Sequence, residues 1–599
     1  MFNFAINDDR ETRRVWERRA VRVVTAVVVA LQVASFGCSD LQKPKPEPYY
    51  AETSPPRKQE FRWSNGKAPK SLDPAIAAVP PETDLVRAIF EGLTELDPAT
   101  LDAVPAAAER WASTEDFRTW TFTIRANAKW SNGKNVTSED FVRSWKRLGE
   151  LGDRATNADL LTNIVGFPFK KRSSSVPSTE LLPKSTEEPP LQPVASDAQL
   201  GRANTNTSPT PVQRGPAPAE FGVSAIDPRT LRVVLVTGDK DFPKLVANPM
   251  FRPSAGEMDG GPPDVVGRDV VTNGAFRIAD ADSDTVTLER SETYWNRDAV
   301  KLERVAFVAA ENAETALTAY KAGKLDAVTN ADFEPLALKL LEPYDDFRSR
   351  PHAALNFYEI NHEKPPFDDR RVREALAISI ERDRLTEGEM EGRTQPALSF
   401  LPFARNPETT IVQDRERARD LLEEAGFGGG RNFPTIKLVI NRNDTQQRVA
   451  RAVARMWKQN LNIETEVVAK ENAEVEAARV TGDFDLVRRN AVFPSSDELM
   501  SILAILKPAS SPDVEPPPNT QSGGVTAEAA NTRLNSGSQI TSPDVTMSEA
   551  NAIYELWAIP LYFPTSYSLV KPYVKGFEMN SLDAPVLVNV SIDNDWQPK

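Results

Sequence analysis

Two histidines and one cysteine are all that a 599-residue sequence offers of the side chains most used for metal binding and nucleophilic attack. His352 and His362 have no cysteine nearby and no i, i+4 partner on a helix, so no metal site is expected. The single Cys38 excludes an intramolecular disulfide, and no G-x-S-x-G turn presents a serine. Acid–base chemistry would need carboxylates that only folding brings together. No enzymatic activity and no cofactor are expected.

The elements that would position binding groups are clearest between 120 and 148. Thr121, Thr123 and Arg125 alternate with Phe122 and Ile124, the period of a half-buried strand, and Asn132-Gly133 supplies a tight turn. Thr137-Ser138-Glu139-Asp140 can cap a helix reciprocally, and Phe141, Trp145 and Leu148 then share one helical face. By itself this is a strand, a turn and a helix docked through tryptophans. The pentapeptide WSNGK occurs at both 63–67 and 130–134 without surrounding similarity, which suits shared turn chemistry better than an internal repeat.

Length alone predicts more than one domain. An apolar share of 40% with 26% charged residues is that of a soluble globular protein, and a net charge of −14 argues against a nucleic-acid partner. Arginines at 10, 13, 14, 18, 19 and 22 precede a mostly apolar run from Val23 to Phe36, then Gly37 and Cys38, so residues 1–38 read as an export signal too short to span a membrane permanently. Ser35-Phe36-Gly37-Cys38 resembles a bacterial lipobox, which implies a lipid on Cys38 and attachment to a membrane at the cell envelope or periplasm. The proline-rich stretch 39–60 then reads as a stiff tether. The Ser-, Thr- and Pro-rich stretches 167–221 and 507–545 read as low-complexity inserts, the first of them disordered.

The string WTFTIRANAKWSNGKNVTSEDFVRSWKRL at 120–148 resembles the signature of the bacterial oligopeptide-binding proteins that serve ABC importers, solute-binding protein family 5. Further runs carry the resemblance: FEGL at 90–93, VTNGAF at 271–276, the Tyr294-Trp295 pair, FYEINHEKPPFDDRRVREALAISIERD at 357–383, and LVKPYVKGF at 569–577. The resemblance implies an α/β fold of the type II periplasmic binding protein class. Two lobes of mixed sheets flanked by helices, one with an extra sub-domain, would close around a ligand cleft. Its segments would be 61–89, 245–307 and 564–599 for the core of lobe I, 90–244 for the extra sub-domain and 308–563 for lobe II.

The same resemblance carries site expectations. Asn273-Gly274 would lie near the cleft, where backbone without a bulky side chain can approach a bound chain, although an ordinary Asn-Gly turn between strands fits the residues equally. Arg479 and Arg488 match basic positions near the ligand's carboxyl end; the competing reading makes them solvated or partners of Asp483 and Asp485. In relatives a tryptophan precedes an aspartate that pairs with the ligand's α-amino group; these places are Ala491 and Pro494 here, leaving Asp497, or Glu498 beside it, as the candidate substitute. The function implied is delivery of a peptide or peptide-like solute to an ABC permease by a monomer. The alternative is a non-transport envelope sensor or interaction protein on the same fold.

Overall fold

A computed structural model describes residues 48–51, 53–167, 220–255, 269–403, 410–506 and 548–597. The export signal, Cys38, the start of the tether and nearly all of both low-complexity inserts lie outside these residues.

In the first lobe, strand β1 (Glu60–Ser64) leads to helix α1 (Glu82–Ile89). Strands β2 (Ala108–Ser113) and β3 (Thr119–Ile124), helix α2 (Ser138–Leu151), and strands β4 (Val223–Asp227) and β5 (Thr230–Val234) form a separate unit, with the antiparallel sheet order β2-β3-β5-β4. Here the sequence pattern becomes structure directly. Alternate residues of β3 are buried, Gly133 turns the chain at φ 85°, and Thr137 and Asp140 exchange side-chain bonds in a capping box at the start of α2. Phe141, Trp145 and Leu148 of α2 are buried, and Trp145 Nε1 donates to Phe251 O at 2.9 Å.

The chain then builds strands β6 (Phe276–Ala281), β7 (Thr285–Arg290) and β8 (Arg304–Val308), helix α3 (Ala313–Lys321), and strands β9 (Ala327–Thr329) and β10 (Phe347–Pro351). The second lobe contains strand β11 (Ala354–Ile360), helix α4 (Arg370–Ile378), strand β12 (Ile436–Asn441), helix α5 (Asp444–Leu461), strand β13 (Thr465–Lys470), helix α6 (Asn472–Thr481), strand β14 (Leu486–Val492) and helix α7 (Glu498–Leu506). The long strand β15 (Ala558–Val570) returns to the first.

One twelve-stranded sheet runs through both lobes in the order β13-β12-β14-β11-β15-β9-β1-β8-β7-β6, with β10 and the short strand Thr394–Pro396 also on β15. The start of β15 pairs with β11 and its end with β10 and β9, so the chain crosses between lobes at His352–Ala353 and again near Pro564. This moves the expected boundary. Residues 308–351 belong with the first lobe, because β9 lies parallel to β1 and Leu325, Val328 and Tyr320 pack with Leu569. A separate core of Tyr358, Val372, Leu376, Leu438 and Trp457 holds the second lobe.

Candidate functional site

In open α/β sheets, ligands collect outside the carboxyl ends of the parallel strands. In the first lobe those ends are Ser64 of β1, Val308 of β8 and Thr329 of β9. Around them Gly66, Lys67, Glu82, Glu311, Asn330 and Asp332 are among the residues lining a cavity of about 890 Å³. Its wall at Asn330–Asp332 is shared with a recess of about 370 Å³ that reaches the crossing strands. There Asp583 Oδ2 accepts from Ser566 Oγ at 2.6 Å and lies 2.8 Å from His352 Nδ1. His362 is elsewhere, stacked on Trp557 at 5.0 Å.

In the second lobe the corresponding ends are Asn441, Lys470 and Val492. Strand β14 pairs along its whole length with β11, but with β12 only at Leu486 and Val487. Phe493 N donates to Ala353 O at 2.7 Å, so the odd-numbered residues of this segment turn their main-chain groups toward β11. Asn490 and Val492 therefore direct theirs the other way, past the end of the β12 pairing, and the Val492 side chain is 59% exposed. An unpaired strand edge at the carboxyl end of a sheet can accept an extended chain as an added strand.

Arg488 lies on this strand. It donates to Asn356 Oδ1 and, at 3.2 Å, to Asn441 Oδ1 at the end of β12. Burial lowers its pKa, against the influence of Tyr562 and Tyr358 beside it. Arg479 lies on the opposite face of the sheet, in ion pairs with Glu359 at 3.1 Å and Glu476 at 2.9 Å. Arg488 opposes Tyr358 whereas Glu359 opposes Val487, and adjacent residues of a strand point to opposite faces. The two arginines therefore cannot grip one carboxylate together.

Asn273 and Gly274 also differ from expectation. Asn273 is buried, with Oδ1 accepting from Glu91 N and Nδ2 donating to Glu91 O, both at 3.0 Å. Gly274 N donates to Ile89 O at 2.9 Å, so both residues seal the end of α1 and present no side chain to a ligand. Asp497 is fully buried as the cap of α7 and accepts from Met500 N at 2.6 Å, which removes it as a substitute amine anchor. Pro494 O accepts from Asn248 Nδ2 of the first lobe at 2.7 Å.

Glu91 is the residue that sequence reasoning passed over. Its Oε1 accepts from the Tyr294 hydroxyl at 2.6 Å and its Oε2 from Trp295 Nε1 at 2.8 Å, while Arg125 lies 3.6 Å over the Trp295 ring. FEGL, VTNG and Tyr-Trp thus form one packing knot, and only their co-occurrence in the chain could have hinted at it. Burial pushes the Glu91 carboxyl up to about 7, outweighing the two donated bonds. Because the folded value exceeds the unfolded one, the contribution to stability is complete below the unfolded value and is lost as pH rises through the folded one. Stability is expected to drop by up to about 3 kcal/mol between pH 5 and pH 8. Glu91→Gln should flatten that slope in urea midpoints measured across the range, and parallel profiles for the two proteins would count against the assignment.

The family described as bacterial extracellular solute-binding proteins, family 5 Middle, matches residues 102–512. The chain is 29% identical to the periplasmic oligopeptide-binding protein OppA of Escherichia coli (strain K12) over 87% of its own length and 90% of the relative's. It is 28% identical to the periplasmic murein peptide-binding protein MppA of the same organism, over 88% and 91%. The unliganded open form of the periplasmic murein tripeptide-binding protein MppA superposes with a TM-score of 0.67 at 25% identity, covering 90% of this chain and 98% of that one.

Proposed function

Since the chain belongs to the bacterial extracellular solute-binding proteins of family 5, we propose that it binds a peptide or peptide-like solute between its lobes and delivers it to an ABC permease. The observation that carries the reading is the edge of β14, which among the described residues no strand pairs beyond Val487 on the side away from β11. An extended ligand satisfies its own main chain there, so side-chain identity is read loosely. The names of the two Escherichia coli relatives, both peptide-binding proteins, support the same class of ligand.

The protein acts as a monomer on a lipid tether at Cys38. The tether's last residues support this arrangement by docking on the first lobe: Tyr50 N donates to Asp346 Oδ1 at 3.0 Å, and the Tyr49 and Trp596 rings lie 5.5 Å apart. Pro494 in place of an amine-anchoring aspartate is the one observation favouring a non-transport sensor on the same fold.

Native mass spectrometry of protein purified without denaturation separates these readings. Co-purifying peptides are the expected result, and an empty cleft together with a stably bound protein partner would replace uptake by sensing. A second test targets the strand edge. Val492→Pro removes an outward N–H without touching the β11 ladder, where edge proline is tolerated. It is expected to weaken binding of the co-purified peptide by about five- to tenfold, the worth of one main-chain hydrogen bond. The thermal midpoint should not move, and unchanged affinity in isothermal titration would put the ligand elsewhere.

A further inference from the structure

The position that lost its amine anchor is joined to the first lobe by a contact of another kind. Asp497 is completely buried, and Asp239, in the segment after β5, is only 3% exposed. Each has one oxygen occupied: Asp497 Oδ1 accepts from Met500 N at 2.6 Å, and Asp239 Oδ1 from Asp241 N at 2.8 Å. The other oxygen of each, Oδ2, is buried without a donor, and the ion pair of the next residues, Lys240 Nζ to Glu498 at 3.0 Å, brings the two carboxyl groups side by side.

Two carboxylates side by side in a buried site repel unless a proton lies between them. Among the described residues no cation substitutes for it. Lys240 Nζ is engaged with Glu498 at 3.0 Å, and Lys244 Nζ with Asp241 at 3.2 Å and Asp102 at 3.5 Å. From the β3 side, Arg118 donates to Val236 O and Asp116 bonds to Thr114 Oγ1 and Arg118 N. Both Asp241 and the partner carboxylate add negative charge, and burial and repulsion hold the pair toward its protonated form.

Around the pair, Ser496 Oγ donates to Leu101 O at 3.2 Å and Met500 packs into the first-lobe core. With the Asn248–Pro494 bond, residues 494–500 therefore make a non-covalent connection between the lobes, beside the two crossing strands.

We propose that one proton shared by Asp239 and Asp497 latches the start of α7 to the first lobe, and that its loss at alkaline pH releases this connection. The latch rests on the two-lobed architecture alone and needs no ligand. Groups whose protonated form is favoured by folding contribute below their titration and lose the contribution above it, so the latch holds on the acid side of the pair's titration and is released on the alkaline side.

Hydrogen exchange of the ligand-free full chain tests it, reading Met500 and Ser501 against the β12 strand as an internal reference between pH 6 and pH 10. After correction for intrinsic rates, protection of Met500 and Ser501 should fall at least about tenfold while β12 stays protected. In Asp497→Asn the asparagine still caps α7 and its amide donates permanently to Asp239, so protection should become independent of pH. Asp239→Asn should behave alike. A flat wild-type profile, or an Asp497→Asn profile as steep as wild type, overturns the proposal. So does protection at pH 10 that sodium restores and tetramethylammonium does not, because the pair would then be holding a cation.

Discussion

Gly274→Ala is expected to cost about 3 kcal/mol of stability or more, the upper range for forcing an atom into a filled site. The added Cβ would stand 2.6 Å from the carbonyl carbon of Ile89 and 2.8 Å from the carbonyl oxygens of Ala88 and Ile89. All three are main-chain atoms at the end of α1, fixed by the Gly274–Ile89 bond and by both Asn273 bonds to Glu91, so no side-chain rotation relieves the clash. Gly274 is not required for a left-handed backbone, since it is absent from the residues with positive φ. The requirement is one of close approach. Urea denaturation should therefore show a lowered midpoint, with ligand affinity of the folded fraction unchanged. A variant of normal stability that has lost affinity would restore the expectation that this turn lines the ligand.

That contrast shows what was legible in the residues and what was not. Local patterns transferred well: β3, the Gly133 turn and the capping box of α2 each depend on neighbours within a few positions, and their residue types state the geometry. Long-range commitments did not. Asn273 looked like a free turn because nothing nearby in sequence reveals that Glu91 uses both ends of its amide. The lobe boundary shifted for the same reason. Strand β9 follows β8 in the chain, but hydrogen-bonds between β1 and β15, and no composition change marks that insertion. Asp497 had the right chemistry for an ammonium partner, yet its position at the head of α7 aims it into the lobe contact. Pro494, read as a lost anchor, still has its carbonyl bonded across the same contact.

The two arginines separate on electrostatic grounds. Arg479 is neutralised by Glu359 and Glu476, and Arg489 also reaches Glu359 at 2.9 Å. Among the described residues Arg488 has only neutral oxygen partners, Asn356, Asn441, Asn490 and the Tyr562 hydroxyl, and its Nε is buried without an acceptor. A largely desolvated guanidinium without a countercharge is costly, and an anionic group arriving at the end of β12 would relieve that cost. Charge-assisted bonds of this kind contribute about 2–3 kcal/mol, so Arg488→Met should weaken a peptide with a free carboxylate by roughly 30- to 100-fold. The same peptide carrying a terminal amide should bind both proteins alike, and the ligand-free variant should be no less stable than wild type. Arg479→Met should do the reverse, lowering stability by about 1–2 kcal/mol because Glu476 loses its partner, with affinity retained. Isothermal titration with the acid and amide forms of one peptide distinguishes them. Equal losses for both forms in Arg488→Met would mean that the side chain shapes the strand without meeting the ligand's charge.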